Sequence, residues 1–440
     1  MIKLIGITGL MAIASLVQAQ ERIKFKEFKL DNGLNVIMHQ DKSAPLVAVS
    51  VLYHVGSKNE NPERTGFAHF FEHLLFEGTE NIGRGEYMQK VQSIGGMLNA
   101  YTSNDHTYYY EVVPSNHLET ALYMESERML HAKIDQIGLE TQRQVVKEEK
   151  SQRIDNQPYG TIMTEVLQRA YQKHPYNWHT IGSIEHLNAA QLDEFMAFYK
   201  KFYVPNNAIL TIAGDIDYAS TEKMVRKYYS AIPKGTAKIV RPSIIEPLRT
   251  AEVRDVIYDN IQLPALIQAY PLPKKNSPDM YALKMLSTYL VGGSSALLPK
   301  KIVDEKQLAV QMQAMPLELE DGGLFMFVGI GNMGVDITKL ESAVDEQVTA
   351  LIQNGISDQD FQKLRAQTEM SVVTKNASVE GVAEQLATAK LYYGNANAIN
   401  TEMQQYDKVT AADIQRVARE YLQKERRVVL HYLPKGAATN

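Results

Sequence analysis

The sequence predicts an α+β protein with two mixed α/β halves. The chain has 440 residues, more than the roughly 100–200 residues of one typical domain, so two or more domains are expected. Residues 232–252 are rich in proline and glycine, a composition typical of a linker. On each side of this segment, a strand is followed by a polar loop and then by an apolar helix that ends near a glycine. The repeated order indicates that the two halves are related.

Local patterns predict the elements of both halves. Asp31-Asn32-Gly33 lies between alternating stretches and predicts a hairpin, because this composition is typical of tight turns. β-Branched runs predict strands, and apolar residues at helical spacing predict helices. The predicted elements are a hairpin at Phe28–His39, strands at Val47–His54, Thr107–Val113, Ala208–Ala213 and Ala265–Tyr270, and helices at Gly66–Phe76, Asn116–His131, Glu140–Arg153 and Met280–Leu290.

The first nineteen residues have the features of a secretory signal peptide. Lys3 precedes an apolar run from Leu4 to Val17, and Val17 and Ala19 place small residues at the two positions of a cleavage site. The run is shorter than the roughly 20 residues that span a bilayer, so cleavage after Ala19 is favoured over a retained anchor. We therefore expect an exported protein, periplasmic or secreted, with no transmembrane segment after cleavage.

The predicted domains follow from the signal peptide and the linker. The signal peptide at residues 1–19 precedes an N-terminal domain at residues 20–235, a linker at 236–252 and a C-terminal domain at 253–440. Both domains have a plausible size for a unit with its own core. His431 is the only histidine of the C-terminal domain, so the metal chemistry is expected in the N-terminal domain.

Composition excludes several classes of function. With 45% hydrophobic and 22% charged residues, the chain resembles an ordinary globular protein. Its 46 basic and 51 acidic residues are spread along the chain, and without a basic block no nucleic-acid partner is expected. The sequence has no cysteine, which excludes disulfides, thiolate zinc sites and a cysteine nucleophile.

The segment His69–His73, which reads HFFEH, is the strongest chemical motif. On a helix, His69 and His73 lie on one face, one turn apart, which suits two ligands of a tetrahedral zinc ion. Glu72 lies on the same side, where it is placed to act as a general base toward water. The order H-x-x-E-H is the inverzincin motif. A partly exposed core helix with hydrogen-bonded imidazoles is the competing interpretation.

A zinc hydrolase needs a third protein ligand besides two histidines and an open position for water. The predicted polar helix Glu140–Arg153 offers Glu148 and Glu149. From these residues alone, a solvated helix face is the simpler interpretation of the charged run. The choice between the two glutamates stays open at this point.

Several segments together resemble the pitrilysin/insulinase family of zinc metallopeptidases, and most closely its short two-domain members near mitochondrial processing peptidase. The resemblance covers nearly all of the N-terminal half and continues more weakly into the C-terminal half. It implies a clamshell of two homologous α+β domains, one zinc ion per chain and hydrolysis of peptides or unfolded segments. The matching segments are residues 66–79, which resemble the active-site helix, and residues 31–34, 95–102, 105–107, 142–149, 174–176, 181–183 and 213–215.

The resemblance also assigns roles to single residues. Glu149 is implied as the third zinc ligand, because it is the second glutamate of the family's R-x-V-V-x-E pattern. Gln142 stands where the family tends to have a glutamate, so a residue that supports the ligands is altered. Family members bind peptide as an added strand at a sheet edge, and Asn99 and Ala100 match that edge. Without the resemblance, an ordinary turn would be the simpler interpretation of those two residues.

Val303 and Val310 depart from the family pattern. Active members carry Arg and Tyr seven residues apart in a stretch that typically reads REKxGLAY, whereas residues 303–310 read VDEKQLAV. Neither valine can bind a substrate carbonyl or stabilise an oxyanion. We therefore expect a heterodimer in which a homologous subunit without the zinc motif supplies Arg and Tyr. The alternatives are a weak or inactive homologue and a non-catalytic structural or binding subunit of the same fold.

Overall fold

A computed structural model describes residues 23–436 as two β-sheets, one in each half, with helices packed around them. The predicted signal peptide, residues 1–19, lies outside the described residues. Within residues 23–436, no helix is both long and apolar enough to cross a membrane.

The first sheet consists of six strands from the N-terminal half. They are Phe25–Lys29 (β1), Asn35–Gln40 (β2), Leu46–Tyr53 (β3), Met97–Thr102 (β4), Thr107–Pro114 (β5) and Ala208–Gly214 (β6). Their spatial order is β1-β2-β6-β3-β5-β4, in which β2 and β6 are parallel and all other neighbours are antiparallel. β4 pairs with β5 alone, so it is an edge strand of this sheet.

The second sheet repeats this topology with five strands. They are Val253–Asp259 (β7), Ala265–Pro271 (β8), Ala309–Leu317 (β9), Leu324–Gly331 (β10) and Val428–Pro434 (β11). Their order is β7-β11-β8-β10-β9, with β7 and β11 parallel and the other neighbours antiparallel. This is the order of the first sheet without β1. The predicted relation between the halves is therefore confirmed at the level of strand order.

Helices cover both sheets. Those of the N-terminal half are Phe67–Leu74 (α1), Glu86–Ser93 (α2), Leu118–His131 (α3), Gln136–Lys150 (α4), Ile162–Ala170 (α5), Ile184–Ala189 (α6), Leu192–Phe202 (α7) and Tyr218–Tyr229 (α8). Those of the C-terminal half are Asp279–Val291 (α9), Ile337–Asn354 (α10), Asp358–Lys375 (α11), Val379–Tyr393 (α12), Ala398–Tyr406 (α13) and Ala411–Tyr421 (α14). A π-helical segment at Ser151–Asp155 continues α4, and a second one lies at Pro299–Glu305, after α9.

The first sheet is buried on both faces, as the side-chain alternation of β3 shows. Val49 and Val51 belong to the core formed with helices of the same half. Ala48 and Leu52 point to the opposite face and pack in a separate core with α12, a helix of the C-terminal half. Because successive strand residues face opposite sides of a sheet, two-sided burial requires a mostly apolar run. The one small polar side chain, Ser50, is buried and directs its hydroxyl at the carbonyl of Thr211.

The two halves exchange helices. α12 covers the first sheet, where Ala383 and Leu386 are fully buried. In return, α5 of the N-terminal half packs on the second sheet, where Val166 and Leu167 share a core with strands β8, β10 and β11. Each sheet therefore obtains part of its cover from the other half.

A buried lysine also ties the halves together. Lys58 is 2% exposed, and its Nζ lies 2.8 Å from Asp105, 2.6 Å from Glu320 and 2.9 Å from Asp321. Lys58 and Asp105 belong to the N-terminal half, whereas Glu320 and Asp321 follow β9 in the C-terminal half. One ammonium thus neutralises carboxylates from both halves, as buried charges require.

The fold class expected from the sequence, a two-domain α+β clamshell, is confirmed by the paired sheets and by the solved structures described below. Several predicted boundaries shift. α4 begins at Gln136 rather than Glu140, because the side chain of Asp135 accepts a hydrogen bond from the N–H of Gly138 and caps the helix there. Residues 233–252 contain neither helix nor strand. The domain limits at 235 and 253 stay predictions.

Candidate metal and catalytic site

The first helix of the site, α1, begins at a buried carboxyl group. Glu60, 6% exposed, accepts hydrogen bonds from the N–H groups of Gly66 (2.8 Å) and Ala68 (2.9 Å) and from Trp178 Nε1 (3.1 Å). Burial raises the pKa of Glu60 to about 8, although the N–H donors oppose this. A helix start leaves four N–H groups without partners in the helix, and Glu60 accepts from this end of α1. It thereby fixes where the histidine-bearing helix begins.

Two glycines allow a second loop to pack against the same helix start. Gly66 has a φ of 95°, a left-handed conformation that favours glycine. A Cβ on Gly182, whose φ is 73°, would lie 2.5 Å from the backbone N of Gly66. The segment Ile181–Ser183 was matched to the family from the sequence, and its glycine is explained by this close contact.

The second helix of the site, α4, carries Glu149 in its last turn. α4 packs against α1, which brings this turn beside His69 and His73. Two turns earlier, the amide nitrogen of Gln142 donates to Glu77, and Arg84 donates to the other oxygen of the same carboxylate. Gln142 therefore acts here as a donor to a glutamate, a role that a carboxylate at this position lacks unless it is protonated.

Three ligand atoms converge between the helices. Oε2 of Glu149 lies 3.0 Å from Nε2 of His73 and 3.6 Å from Nε2 of His69. Zinc bonds of about 2.0–2.2 Å at tetrahedral angles place ligand atoms roughly 3.3 Å apart. These separations lie on either side of that value. The structure thus brings the three predicted metal ligands together.

The donor set also suits zinc chemically. Oε2 of Glu149 is buried, and no well-aligned hydrogen bond reaches it from the described residues. Burial, together with the charge of His73, lowers the pKa of His69 to about 4, so its imidazole is neutral at neutral pH, the form that binds a metal. Contact with His73 lowers the pKa of Glu149, which favours its carboxylate form although burial opposes this. Two imidazoles and one carboxylate form a ligand set found at catalytic zinc sites.

Glu72 lies on the same turn as His73 but does not join the ligand cluster. Its Oε2 accepts a 2.7 Å hydrogen bond from Thr102 Oγ1, on strand β4. Burial raises the pKa of Glu72, although the hydrogen bond from Thr102 opposes this. A raised pKa brings a carboxylate closer to the range in which it can both accept and return a proton.

An open cleft of about 800 Å³ gives access to this site. Glu72 and His73 line one wall, Glu149 lines another, and Asn99 and Ala100 of β4 line the third. The two predicted peptide-binding residues therefore lie at the free edge of the sheet, beside the predicted ligands. The N–H of Ala100 donates to the side chain of its own neighbour Asn99 over 2.9 Å.

The two valines of the C-terminal half lie in different environments. Val303 belongs to the π-helical segment Pro299–Glu305 and packs against the C-terminal core. Val310 lies in β9 and is 50% exposed. Between them, Gln307 has a φ of 52°, a conformation that favours glycine, which is the residue of the family pattern at this position.

Three residues that position the side chains of the site were not predicted from the sequence. Arg153 donates to Glu149 Oε1 over 2.6 Å, and its position four residues later on one helical stretch was a readable pairing. Thr102 was part of a matched segment, but its contact with Glu72 depends on how β4 packs against α1. Glu60 had no local signal, because a loop separates it from the helix that it caps.

Comparisons with known proteins show that the chain is similar to one family of peptidases. Residues 35–183 match the sequence model described as insulinase (peptidase family M16), and residues 189–368 match the one described as peptidase M16 inactive domain. Zinc protease PqqE of Helicobacter pylori is 29% identical over 95% of this chain and 96% of its own length. A probable mitochondrial-processing peptidase subunit beta of Arabidopsis thaliana is 26% identical over 89% of this chain and 75% of its own.

A solved structure shows the same similarity at the level of the fold. The crystal structure of a protease from Helicobacter pylori superposes with a TM-score of 0.90 and 28% identity, covering 93% of this chain and 100% of that one. The fold and these relatives define the class of protein, a member of a peptidase family. The chain belongs to the pitrilysin/insulinase family, M16, as its sequence motifs predicted.

Proposed function

We propose that this chain is a zinc-dependent endopeptidase. The observation that carries the proposal is the convergence of His69, His73 and Glu149, from two helices, on one point beside Glu72. These three residues would hold one zinc ion per chain. When bound, zinc supplies Lewis acidity, which polarises a carbonyl and makes water a better nucleophile near neutral pH.

The residues of the chain itself account for the proton transfers. Glu72 is held by Thr102 and lies beside the ligand cluster, where it takes a proton from the attacking water. The same carboxyl group then returns the proton to the leaving amine, so Glu72 ends the cycle unchanged. The raised pKa of Glu72 supports both steps.

The free edge of β4 supports a peptide substrate in extended form. A peptide added as a strand beside Asn99 and Ala100 would form main-chain hydrogen bonds, which make few demands on sequence. The N–H of Ala100 would exchange its bond to the Asn99 side chain for one to the peptide. An unfolded segment satisfies this geometry more readily than a folded protein.

The missing Arg and Tyr support a heterodimer. The partner would be a homologous non-zinc subunit that carries Arg and Tyr at the positions of Val303 and Val310 and presents them to the cleft of this chain. One relative is named as a subunit of a processing peptidase, which supports such an assembly. The pattern of residues 1–19 supports export, so the complex would act in the periplasm or outside the cell.

Replacing the base tests the catalytic proposal. Glu72→Gln should lower kcat/KM on an unfolded peptide by about 10²–10⁴-fold, the usual contribution of a general base, while zinc content stays near one per chain. Glu148→Gln is the matched control, because Glu148 lines the same cleft and bonds Gln152 instead of the ligands. Unchanged activity in Glu72→Gln, or no zinc in the native protein, would contradict the proposal.

Co-expression tests the partner. We expect low peptidase activity from the lone chain and higher activity when it is purified with a homologous non-zinc subunit. Equal activity with and without that subunit would remove the heterodimer and leave the endopeptidase. A non-catalytic structural subunit is the second candidate, favoured by Val303 and Val310. It predicts bound zinc but no activity in either preparation.

A further inference from the structure

A second cavity, of about 290 Å³, lies between the halves. We call it the interdomain pocket. It is bounded by Tyr101 and His106 of the N-terminal half and by side chains of α9, α12 and α13. Its volume is close to the lower limit for ligand pockets, roughly 300–1,000 Å³, so it suits a small molecule. The charged residues that line it are Lys275, Lys284, Lys375, Glu318, Glu384 and Glu402.

Four of these six charges are paired with one another. Lys284 Nζ lies 2.9 Å from Glu318, and Lys375 Nζ lies 2.6 Å from Glu402. A paired buried charge is satisfied within the fold and does not call for a ligand. These two ion pairs therefore have a structural explanation.

Lys275 and Glu384 have no such partner. Among the described residues, Lys275 makes no ion pair, and its Nζ lies 4.2 Å from the centre of the Tyr392 ring. Glu384 accepts a 2.7 Å hydrogen bond from the hydroxyl of Tyr101 but has no cationic partner within residues 23–436. Burial lowers the pKa of Lys275, although the charges of Glu318 and Glu384 oppose this without forming a direct ion pair. One cation and one anion thus face the same cavity unmatched.

A chain of hydrogen bonds ends at Glu384, which accepts the last bond. Tyr101 uses its O–H to donate to Glu384, so it accepts from His106 Nε2 over 3.1 Å. The other ring nitrogen of His106 then accepts from the hydroxyl of Tyr392 over 2.6 Å. Burial lowers the pKa of His106 to about 3, so this ring stays neutral and adds no charge to the wall. Among the described residues, the Tyr101 hydroxyl is the only side-chain donor to the carboxylate of Glu384, which lines the interdomain pocket.

We propose that the interdomain pocket binds a small zwitterion of the free amino-acid class. Lys275 receives its carboxylate, and Glu384 receives its ammonium group. The apolar surfaces of Ala389 and Ile399 lie in the same lining and suit an aliphatic side chain. The site is separate from the cleft at Glu149 and does not depend on zinc or on peptidase activity. Amino acids are nevertheless the chemical class that complete peptide hydrolysis yields.

Calorimetric titration of the full chain tests this site with L-leucine, L-leucinamide and N-acetyl-L-leucine. L-Leucine should bind, whereas the amide lacks the carboxylate and the acetyl derivative lacks the ammonium group. Each derivative should bind at least about tenfold more weakly, since each loses a charge-assisted hydrogen bond. Lys275→Met and Glu384→Gln should each weaken L-leucine binding by a similar factor. Lys274→Met is the matched control, since Lys274 is an exposed neighbour outside the pocket, and it should bind as the native chain does.

Several results would overturn the proposal. N-acetyl-L-leucine binding as tightly as L-leucine would reveal a simple anion site. Retained affinity in Lys275→Met, with the thermal midpoint unchanged, would place the ligand elsewhere. No saturable heat from glycine or L-leucine up to their solubility limits would refute the zwitterion site outright. None of these results bears on Glu72, so the peptidase proposal is judged separately.

Discussion

The two halves offer corresponding clefts with opposite chemistry. In the N-terminal half, the cleft between α1, β4 and α4 contains His73, Glu72 and Glu149. In the C-terminal half, the cleft between α9, β9 and α11 contains Lys284 and Lys375. The first presents ligands for a cation, whereas the second already contains cations, and Lys284 is paired with Glu318. A repeated scaffold therefore acquires or loses metal chemistry through a few side chains on two helices.

The edge strands beside the two clefts also differ. β4 contains no proline, and the N–H of Ala100 at its edge donates to the side chain of the neighbouring Asn99. β9 is the corresponding edge strand of the second sheet and contains Pro316, which has no N–H and lines the C-terminal cleft. A proline in an edge strand hinders the pairing of a further strand. The comparison favours the proposed peptide strand beside β4 over one at its counterpart, β9.

The largest difference between the two clefts is expected when one predicted zinc ligand is removed. His73→Ala should abolish zinc binding and lower activity by at least about 100-fold, because even residues behind the ligands cost 10–100-fold when lost. Lys284→Met, in the opposite cleft, should retain one zinc per chain. Metal analysis of the folded fraction of each variant gives the answer. Zinc retained in His73→Ala would show that the N-terminal cleft does not bind the metal through His73.

Removing the ion pairs that Lys58 forms between the halves should lower stability without changing zinc binding. Lys58→Met leaves the buried carboxyl group of Asp105 and the half-buried ones of Glu320 and Asp321 without their cation. This should lower the free energy of unfolding by about 3–5 kcal/mol. Denaturant unfolding measures this loss, with Lys42→Met as an exposed control. A change of less than 1 kcal/mol, on the order of a surface pair, would show that Lys58 is dispensable.

The ion pair between Lys58 and Glu320 should weaken only in strong acid. Burial raises the pKa of Glu320, but the hydrogen bond from His54 and the charge of Lys58 outweigh it and lower the pKa to about 2. A group with a lowered pKa contributes its full stability above its ordinary value of 4.5 and loses it as the pH falls toward 2. The difference in thermal midpoint between native protein and Lys58→Met should thus be constant above pH 4.5 and shrink below it. A difference that first shrinks above pH 6 would contradict the assignment.

The smallest effect is expected at Gln142. Gln142→Glu would restore the family pattern but place a second carboxylate against Glu77, which now accepts from the amide of Gln142. We expect a loss of about 1–3 kcal/mol in unfolding free energy, the cost of an unmatched buried acceptor, with zinc content unchanged. Thermal unfolding and metal analysis check both statements. A gain in stability would mean that Arg84 can neutralise both carboxylates.

Much of the first cleft could be predicted from the sequence because its determinants are local. The spacing of His69 and His73 sets their common helix face, and the matched segments pointed to Glu149. The positions of α1, β3 and β5 were predicted to within a few residues, whereas the segment of β4 was identified only through the family resemblance. The start of α4 was missed because its cap, Asp135, precedes a Gly-containing turn that does not show the apolar periodicity.

Long-range contacts could not be predicted in the same way. A helical pattern shows that α12 has an apolar face, but it does not show which sheet that face covers. The roles of Glu60 and Lys58 depend on the positions of loops that are distant in sequence. The unpaired state of Lys275 likewise appears only when charges from both halves are located in space. Local periodicity identifies elements, whereas their partners depend on the topology.

The exchange of α5 and α12 has a consequence for how the chain folds. The first sheet is completed by β6, which ends at Gly214, but one of its faces stays uncovered until α12 arrives at Val379–Tyr393. Contacts so far apart in sequence form slowly, and Ile23 bonds a residue 377 positions away, Asn400. During synthesis, nearly the whole polypeptide must emerge before either sheet is closed on both sides. An N-terminal fragment would carry every proposed zinc ligand and still expose an apolar sheet face, so fragments should aggregate rather than function.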